Sequence, residues 1–320
     1  MANIRKRLMA LVSASVITLA GCDAPPPTPS PVPPPPPVPR PEPPKPVVAP
    51  QSEVSRKMSE HLSRLQADLL VQGLLRVDGG GPDVPFSKRN LVDNFIRVAL
   101  FDEYTTSNGH LVARETESRL RRWEQPIRMK IEFGPSVPLA QRTRDRAKIG
   151  AYVKRLSRIT GVPIRLTNGL ANYNVLILNE DERRGGAPIL RKLAPGIGDV
   201  SVRAVTDMSR STLCLVFAFS NDTQTSTYAK AVAVIRGEHP DLLRLSCIHE
   251  ELAQGLGLAN DSPSARPSIF NDDEEFGLLT HHDELLLRIL YDRRLRVGMT
   301  PREARPIVET IVDELLGGAT

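Results

Sequence analysis

Residues 247 to 261 run Cys-Ile-His-Glu-Glu-Leu-Ala-Gln-Gly-Leu-Gly-Leu-Ala-Asn-Asp. No other stretch of the chain combines a helical pattern with so many groups able to hold a metal or carry a proton. Placed on a helix, Leu245, Ile248, Leu252 and Leu256 form one apolar stripe by the i, i+3, i+7 rule. At about 100° per residue, Glu250 and Gln254 face the other way, with Glu251 on the flank between them. Gly255 and Gly257 fall where a helix stops, and Asn260 and Asp261 follow in the exit turn. Oxygen donors one helical turn apart, joined by another from the exit turn, suit a cation. A metal-free acid–base pair of Glu250 and Glu251 would need one pKa raised by the other. Their divergence of about 100° on a helix argues against both gripping one bond.

The spacing resembles the zinc-protease pattern H-E-x-x-H-x-x-G-x-x-H, in which two ligands one turn apart and a third beyond a glycine turn hold the metal. Counting from His249 would put the second ligand at Ala253, which has nothing to donate. Aligning on Leu256-Gly257-Leu258 instead places Glu250, Gln254 and Asn260 at the three ligand positions and Glu251 at the general base. The resemblance implies a zincin helix whose imidazoles have been replaced. Catalytic zinc takes Cys, His or carboxylate ligands plus a water. Neutral amide oxygens are weak donors for it, and an oxygen-rich set suits calcium or magnesium better. The expectation is therefore no cofactor, with a divalent metal at Glu250, Gln254 and Asn260 as the alternative. Asp261 or His249 are the groups that could swing in.

The surrounding pattern must supply a scaffold for that helix. Residues 53–76 predict an amphipathic helix through Leu62, Leu65 and Leu69, and helices follow over Leu91–Tyr104 and Glu115–Trp123. This gives a mainly helical preface over residues 53–125. The triple glycine at Gly79–Gly81 lacks the lysine and hydroxyl of a phosphate loop and predicts only a turn. From Pro126 the periodicity changes. Ile127–Phe133 alternates as a strand, Arg142–Thr160 has helical spacing with Gly161 as its stop, and strands are expected at Pro163–Thr167 and Asn174–Leu178. A loop rich in Gly and Arg then leads to strands Thr212–Phe219 and Ala229–Ile235 and to the helix Leu242–Leu258. Residues 126–320 thus form an α+β domain, ending in helices that include an amphipathic Asp283–Tyr291. His281 and His282 diverge as sequence neighbours, so a helix-start or solvated role fits them better than metal binding.

The order strand, helix, strands, motif helix resembles that of the zincin fold; the pattern by itself shows a mixed α/β domain. Beyond the motif, Arg266-Pro-Ser-Ile-Phe270 resembles the turn beneath the metal in metzincins, with Phe270 where that group keeps methionine. Leu279-Thr-His-His-Asp283 resembles the start of the closing helix of the matrixin branch. Taken with Asp78–Phe86, Asn94–Tyr104, Arg121–Pro126, Glu250–Asp261 and Pro267-Ser-Ile-Phe-Asn-Asp, the chain resembles the Domain of Unknown Function 2927 family over most of residues 70–305. That resemblance implies a zincin-like α+β fold and supplies no activity.

The amino terminus bears on location. Arg5, Lys6 and Arg7 precede an apolar run too short to span a bilayer, for which roughly 20 residues are needed. Leu19-Ala20-Gly21-Cys22 resembles the bacterial lipobox, which implies a signal peptide over residues 1–21 and a lipid on Cys22. Asp23 resembles an inner-membrane retention signal; the outer membrane is the alternative. Sixteen prolines in residues 25–50 make residues 22–52 an anchor and an extended tether of roughly 80 Å. Losing the three basic leader residues lowers the formal charge from +5 to +2, and no basic stripe with interleaved aromatics remains, so nucleic-acid binding is excluded. With Cys22 lipidated, Cys214 and Cys247 are a leftover pair in an oxidising space, which predicts a disulfide, two buried thiols being the alternative. The expected protein is lipid-anchored, faces the periplasm, and works as a binding or assembly factor for an envelope protein, peptide or peptidoglycan. The alternatives are a metallohydrolase of peptide or peptidoglycan with Glu251 as general base, or a scaffold in which the motif is purely structural.

Overall fold

The computed structural model describes residues 48–107, 110–221, 225–271 and 273–317. Residues 1–47 lie outside them, and with them the expected signal peptide, Cys22, Asp23 and most of the proline-rich stretch. Residues 47–320 make one compact unit, and among the described residues no helix is long and apolar enough to cross a membrane.

The centre is a twisted sheet. β4 (Ile127–Phe133) pairs in parallel with β5 (Ile164–Leu166) and β6 (Tyr173–Leu178), and β6 in parallel with β8 (Thr227–Arg236). β7 (Cys214–Ser220) runs antiparallel along the other edge of β8, from Cys214 opposite Ile235 to Ser220 opposite Tyr228. A short β3 (Arg122–Trp123) joins the start of β8. All six residues of β6 are buried, because helices cover both faces. On one face Val175, Ile177, Ala233 and Ile235 pack against α3 (Leu139–Thr160) and α7 (Asp241–Gln254) through Ile149, Val153, Ile248 and Leu252. The alternate residues Leu176, Leu178, Val232 and Val234 meet α5 (Ala187–Leu193) and α6 (Asp199–Thr206) through Leu190, Val202 and Val205. The period of 2 in the strands thus sorts two cores. Gly161 ends α3 with φ +72°, the left-handed stop its position predicts.

Around this sheet α1 (Glu53–Val71) packs Met58, Leu62 and Leu69 against Leu243. α2 (Lys88–Leu100) packs on α8 (His281–Leu290) and α9 (Pro301–Leu315). The preface is less helical than expected. Phe101–Ser107 and His110–Glu117 form the antiparallel hairpin β1–β2, so the helix expected over Leu91–Tyr104 gives way to strand after Leu100, and the one expected at Glu115–Trp123 is instead the end of β2, an irregular link and β3. The mixture of charged and β-branched residues there carries no strong period, and hairpin pairing decides it. The Gly/Arg-rich loop contains α4 (Glu180–Arg184), α5 and α6, each too short to show a helical repeat.

Candidate functional site

α7 is buried around most of its girth, and Glu250, Glu251 and Gln254 are the polar side chains of it that line a cleft of about 560 Å³. Several interactions fix it there. Arg244, itself buried, bonds Asp145 Oδ2 through Nε at 2.9 Å. The predicted disulfide is present, joining Cys247 to Cys214 of β7 with the Cα atoms 5.9 Å apart. At the far end a Cβ on Gly255 would collide with the Tyr173 hydroxyl, which donates to the Glu251 carbonyl at 2.8 Å. Gly257 has φ +126°, and a Cβ there would collide with the Arg121 carbonyl. Trp123 Nε1 donates to the Gly255 carbonyl at 2.8 Å. The two glycines therefore do more than stop the helix. They let β6 and the residues leading into β3 close over its end.

The predicted site residues separate. The Glu250 carboxylate lies 4.0 Å from Cys214 Sγ, a sulfur that is oxidised and carries no proton. Glu251 is only 4% exposed, and its Oε2 is buried without a hydrogen-bond partner. Gln254 Nε2 donates to Asp261 Oδ1 at 3.1 Å. Asn260 does not line the cleft. Its side-chain amide donates to the Arg97 carbonyl at 3.0 Å and its backbone N–H to the Val98 carbonyl, pinning the exit turn to the end of α2. Asp261 takes the place expected for Asn260.

His249 is a core residue. Its ring stacks on Tyr152 with centroids 3.9 Å apart, Nδ1 accepts from the Leu279 N–H at 3.0 Å, and burial first, then Arg155 and Lys148, hold its pKa down to about 3. His282 is fully buried against Asn94, which overturns a solvated role for it; Thr280 and Asp283 cap that helix start. Among the described residues no imidazole lines the cleft.

Sequence reasoning missed the other walls. Asp102 and Glu103 of β1, Arg121, Glu274, Tyr228 and the length of β7 all face the same space. They come from segments assigned to other elements or to turns, and only the hairpin and sheet pairings bring them together. Burial raises Glu250 well above the usual carboxylate range, and Asp261, Glu251, Glu274 and Glu103 add to the rise. Glu251 is raised in the same way by burial, Asp261 and Glu103. Among the described residues six carboxylates thus share the cleft with one cation, Arg121, which is itself ion-paired with Asp102.

Ligand atoms of Cys214, Glu250 and Glu251 lie within 4.8 Å of one another, a grouping able to hold a metal. The disulfide removes Cys214 from that set, and Gln254 is tied to Asp261. What remains is carboxylate oxygen, which does not fit the nitrogen- and sulfur-rich environment of catalytic zinc.

Residues 88–310 match the family described as "Protein of unknown function (DUF2927)". The chain belongs to that family. Searches of curated proteins and of solved structures each found no match. The DUF2927 span contains every wall of the cleft, from Asp102 to Glu274, and leaves α1 outside.

Proposed function

We propose that this DUF2927 protein is a lipid-anchored component of the bacterial envelope whose zincin-like cleft binds a cationic group of a peptide or peptidoglycan ligand without hydrolysing it. The observation that carries the reading is Glu251: a carboxylate 4% exposed whose Oε2 is buried and unpartnered, in a cleft lined, among the described residues, by five other acids and no imidazole. A bound ammonium or guanidinium would satisfy that oxygen and offset the mutual repulsion of the acids. The order β4, α3, β5 to β8, α7 supports the zincin part. The Leu19–Cys22 motif supports the envelope part, as does the disulfide, a bond that persists in oxidising compartments. A second reading, hydrolysis with Glu251 as general base, draws support from the same raised pKa and vacant acceptor.

Calorimetry of the full chain in detergent, with an acetylated, amidated pentapeptide containing one lysine, tests this. Binding should weaken about ten-fold when lysine becomes norleucine, a difference of about 1.4 kcal/mol, and Glu251→Gln should erase the difference. Near-stoichiometric divalent metal by elemental analysis, lost in Glu250→Ala, would overturn the reading. So would peptide cleavage lost in Glu251→Gln.

A further inference from the structure

Past Arg121 the cleft continues into a second concavity of about 620 Å³, and the two share Arg121, Ala218, Phe219 and Tyr228. The charge reverses there. Arg119, Arg121 and Lys230 line the second concavity, and among the described residues no carboxylate does. The Lys230 side chain makes no hydrogen bond or ion pair among the described residues, its backbone being paired in the β7–β8 ladder, and Arg119 spends one N–H on the Gly298 carbonyl. The two halves are strung along β7, which pairs with β8 on one side and, among the described residues, with no strand on the other.

An open strand edge with opposite charges at its two ends selects a particular kind of occupant. An extended segment laid on that edge gains backbone hydrogen bonds, and its alternate side chains enter the flanking pockets. Cys214 marks the Glu250 end, and Ala218 and Phe219 mark the junction with the basic half. Four or five strand residues separate them, roughly 13 to 17 Å at about 3.3 Å per residue. In an extended chain, residues four apart lie on the same face.

We infer that Arg119 and Lys230 form a carboxylate-binding site, with Arg121, held by its ion pair to Asp102, at the border between the halves, and that the whole groove takes one extended peptide segment bearing a lysine or arginine and, four residues away, a carboxylate. The cationic side chain sits among Glu250, Glu251 and Asp261. The inference rests on the cation-binding reading for that acidic half; the basic half is a separate site.

The test uses the full chain in detergent and two probes of opposite order, acetyl-Lys-Val-Thr-Val-Glu-amide and acetyl-Glu-Val-Thr-Val-Lys-amide. Each is titrated alongside versions with glutamine for glutamate and norleucine for lysine. In the better order, glutamine for glutamate should weaken binding about ten-fold. Arg119→Ala with Lys230→Ala should cause the same loss for the glutamate peptide and leave the glutamine peptide unchanged. Equal binding of the glutamate and glutamine peptides overturns the carboxylate site while lysine discrimination keeps the acidic half. Equal binding of the lysine and norleucine peptides overturns the reading beneath it. Absence of binding by every peptide at about 1 mM, the weak end of the specific range, overturns both. The peptide-side comparisons use the unaltered protein, so they stand whether or not a variant folds.

Discussion

Two groups of buried acids in this molecule have the same residue types and opposite electrostatics. At the start of α4, Glu180 is 2% exposed, and its oxygens receive Arg236, Arg183 and Arg184 at 2.8, 2.8 and 2.9 Å. Burial pushes its carboxyl up, but the hydrogen bond and charge of Arg183, with help from Arg184 and Arg236, bring it net below the ordinary value. Its neighbour Glu238 accepts from the Ser55 hydroxyl and the Glu180 N–H, and burial keeps it raised against these bonds and the charge of Arg236. In the cleft no guanidinium or ammonium contacts Glu250 or Glu251 among the described residues, and both carboxyls stand well above the ordinary range. The fold supplies countercharges to Glu180 and none to Glu250 and Glu251. Glu238 is also raised, with Oε2 buried and unpartnered, but it does not line the cleft, so an uncompensated acid facing open space marks a site better than burial or a missing partner alone.

Breaking the compensated group should have the largest effect. Arg236 is fully buried and also donates to the carbonyls of Met208, Ser209 and Thr212. Arg236→Met removes the countercharge and strands those acceptors, and should lower stability by about 3 to 5 kcal/mol in urea unfolding. A loss below about 1 kcal/mol, the range of an exposed pair, would erase the distinction between the two acid groups.

The disulfide comes next, because it ties the cleft's floor to its wall. Cys214 and Cys247 are 33 residues apart in sequence, and on the chain-entropy view replacing both with alanine should cost about 3 to 4 kcal/mol. The same unfolding experiment reads it. Lysine-peptide affinity of the double variant, measured where it remains folded, should fall as well, since α7 and β7 then lose their covalent link.

The compensated group was nearly invisible in the sequence and the cleft only half visible, for one physical reason. Periodicity reports which face of an element is buried, so α3, β4, β6, β8 and α7 could be placed from their own residues. It does not report which element lies opposite. Glu180 fell in a stretch that looked like loop, and its guanidinium from Arg236 arrives only through the pairing of β6 with β8. Glu250, Glu251 and Gln254 were legible because they share one helix. Glu103, Arg121 and Glu274 come from distant segments, and the choice between Asn260 and Asp261 depended on which way one turn points.

The pH dependence of stability should separate the two acid groups. Glu250 and Glu251 have raised folded pKa values, so above the unfolded value of about 4.3 the native state holds protons that the unfolded chain has released. Stability should therefore fall as pH rises from about 4.3 through the folded pKa values, by up to about 1.4 kcal/mol per pH unit for each proton held. Glu180, lowered in the fold, gives the opposite arm: its contribution is present above about 4.3 and is lost as pH falls through its folded pKa. The double variant Glu250→Gln, Glu251→Gln should reduce the fall on the alkaline side, leaving the part that the raised Glu238 contributes, and leave the acid arm in place. A binding cation must displace those protons, so lysine-peptide affinity should rise with pH over the same window.

The smallest effect addresses the one-residue step between Asn260 and Asp261. Asn260 donates from its side chain to the Arg97 carbonyl and lies off the cleft, whereas Asp261 lines it and accepts from Gln254. Asn260→Ala leaves the part-buried Arg97 carbonyl short of one donor, and should lower stability by about 1 kcal/mol without changing lysine-peptide affinity at fixed pH. Asp261→Asn should do the reverse. It keeps an acceptor for Gln254, lowers the repulsion on Glu250 and Glu251, and leaves stability equal or slightly higher while weakening cation binding. If Asn260→Ala instead weakens binding and Asp261→Asn does not, the exit turn presents the residue that the zinc-protease spacing indicates, and the acids of the cleft belong to the scaffold after all.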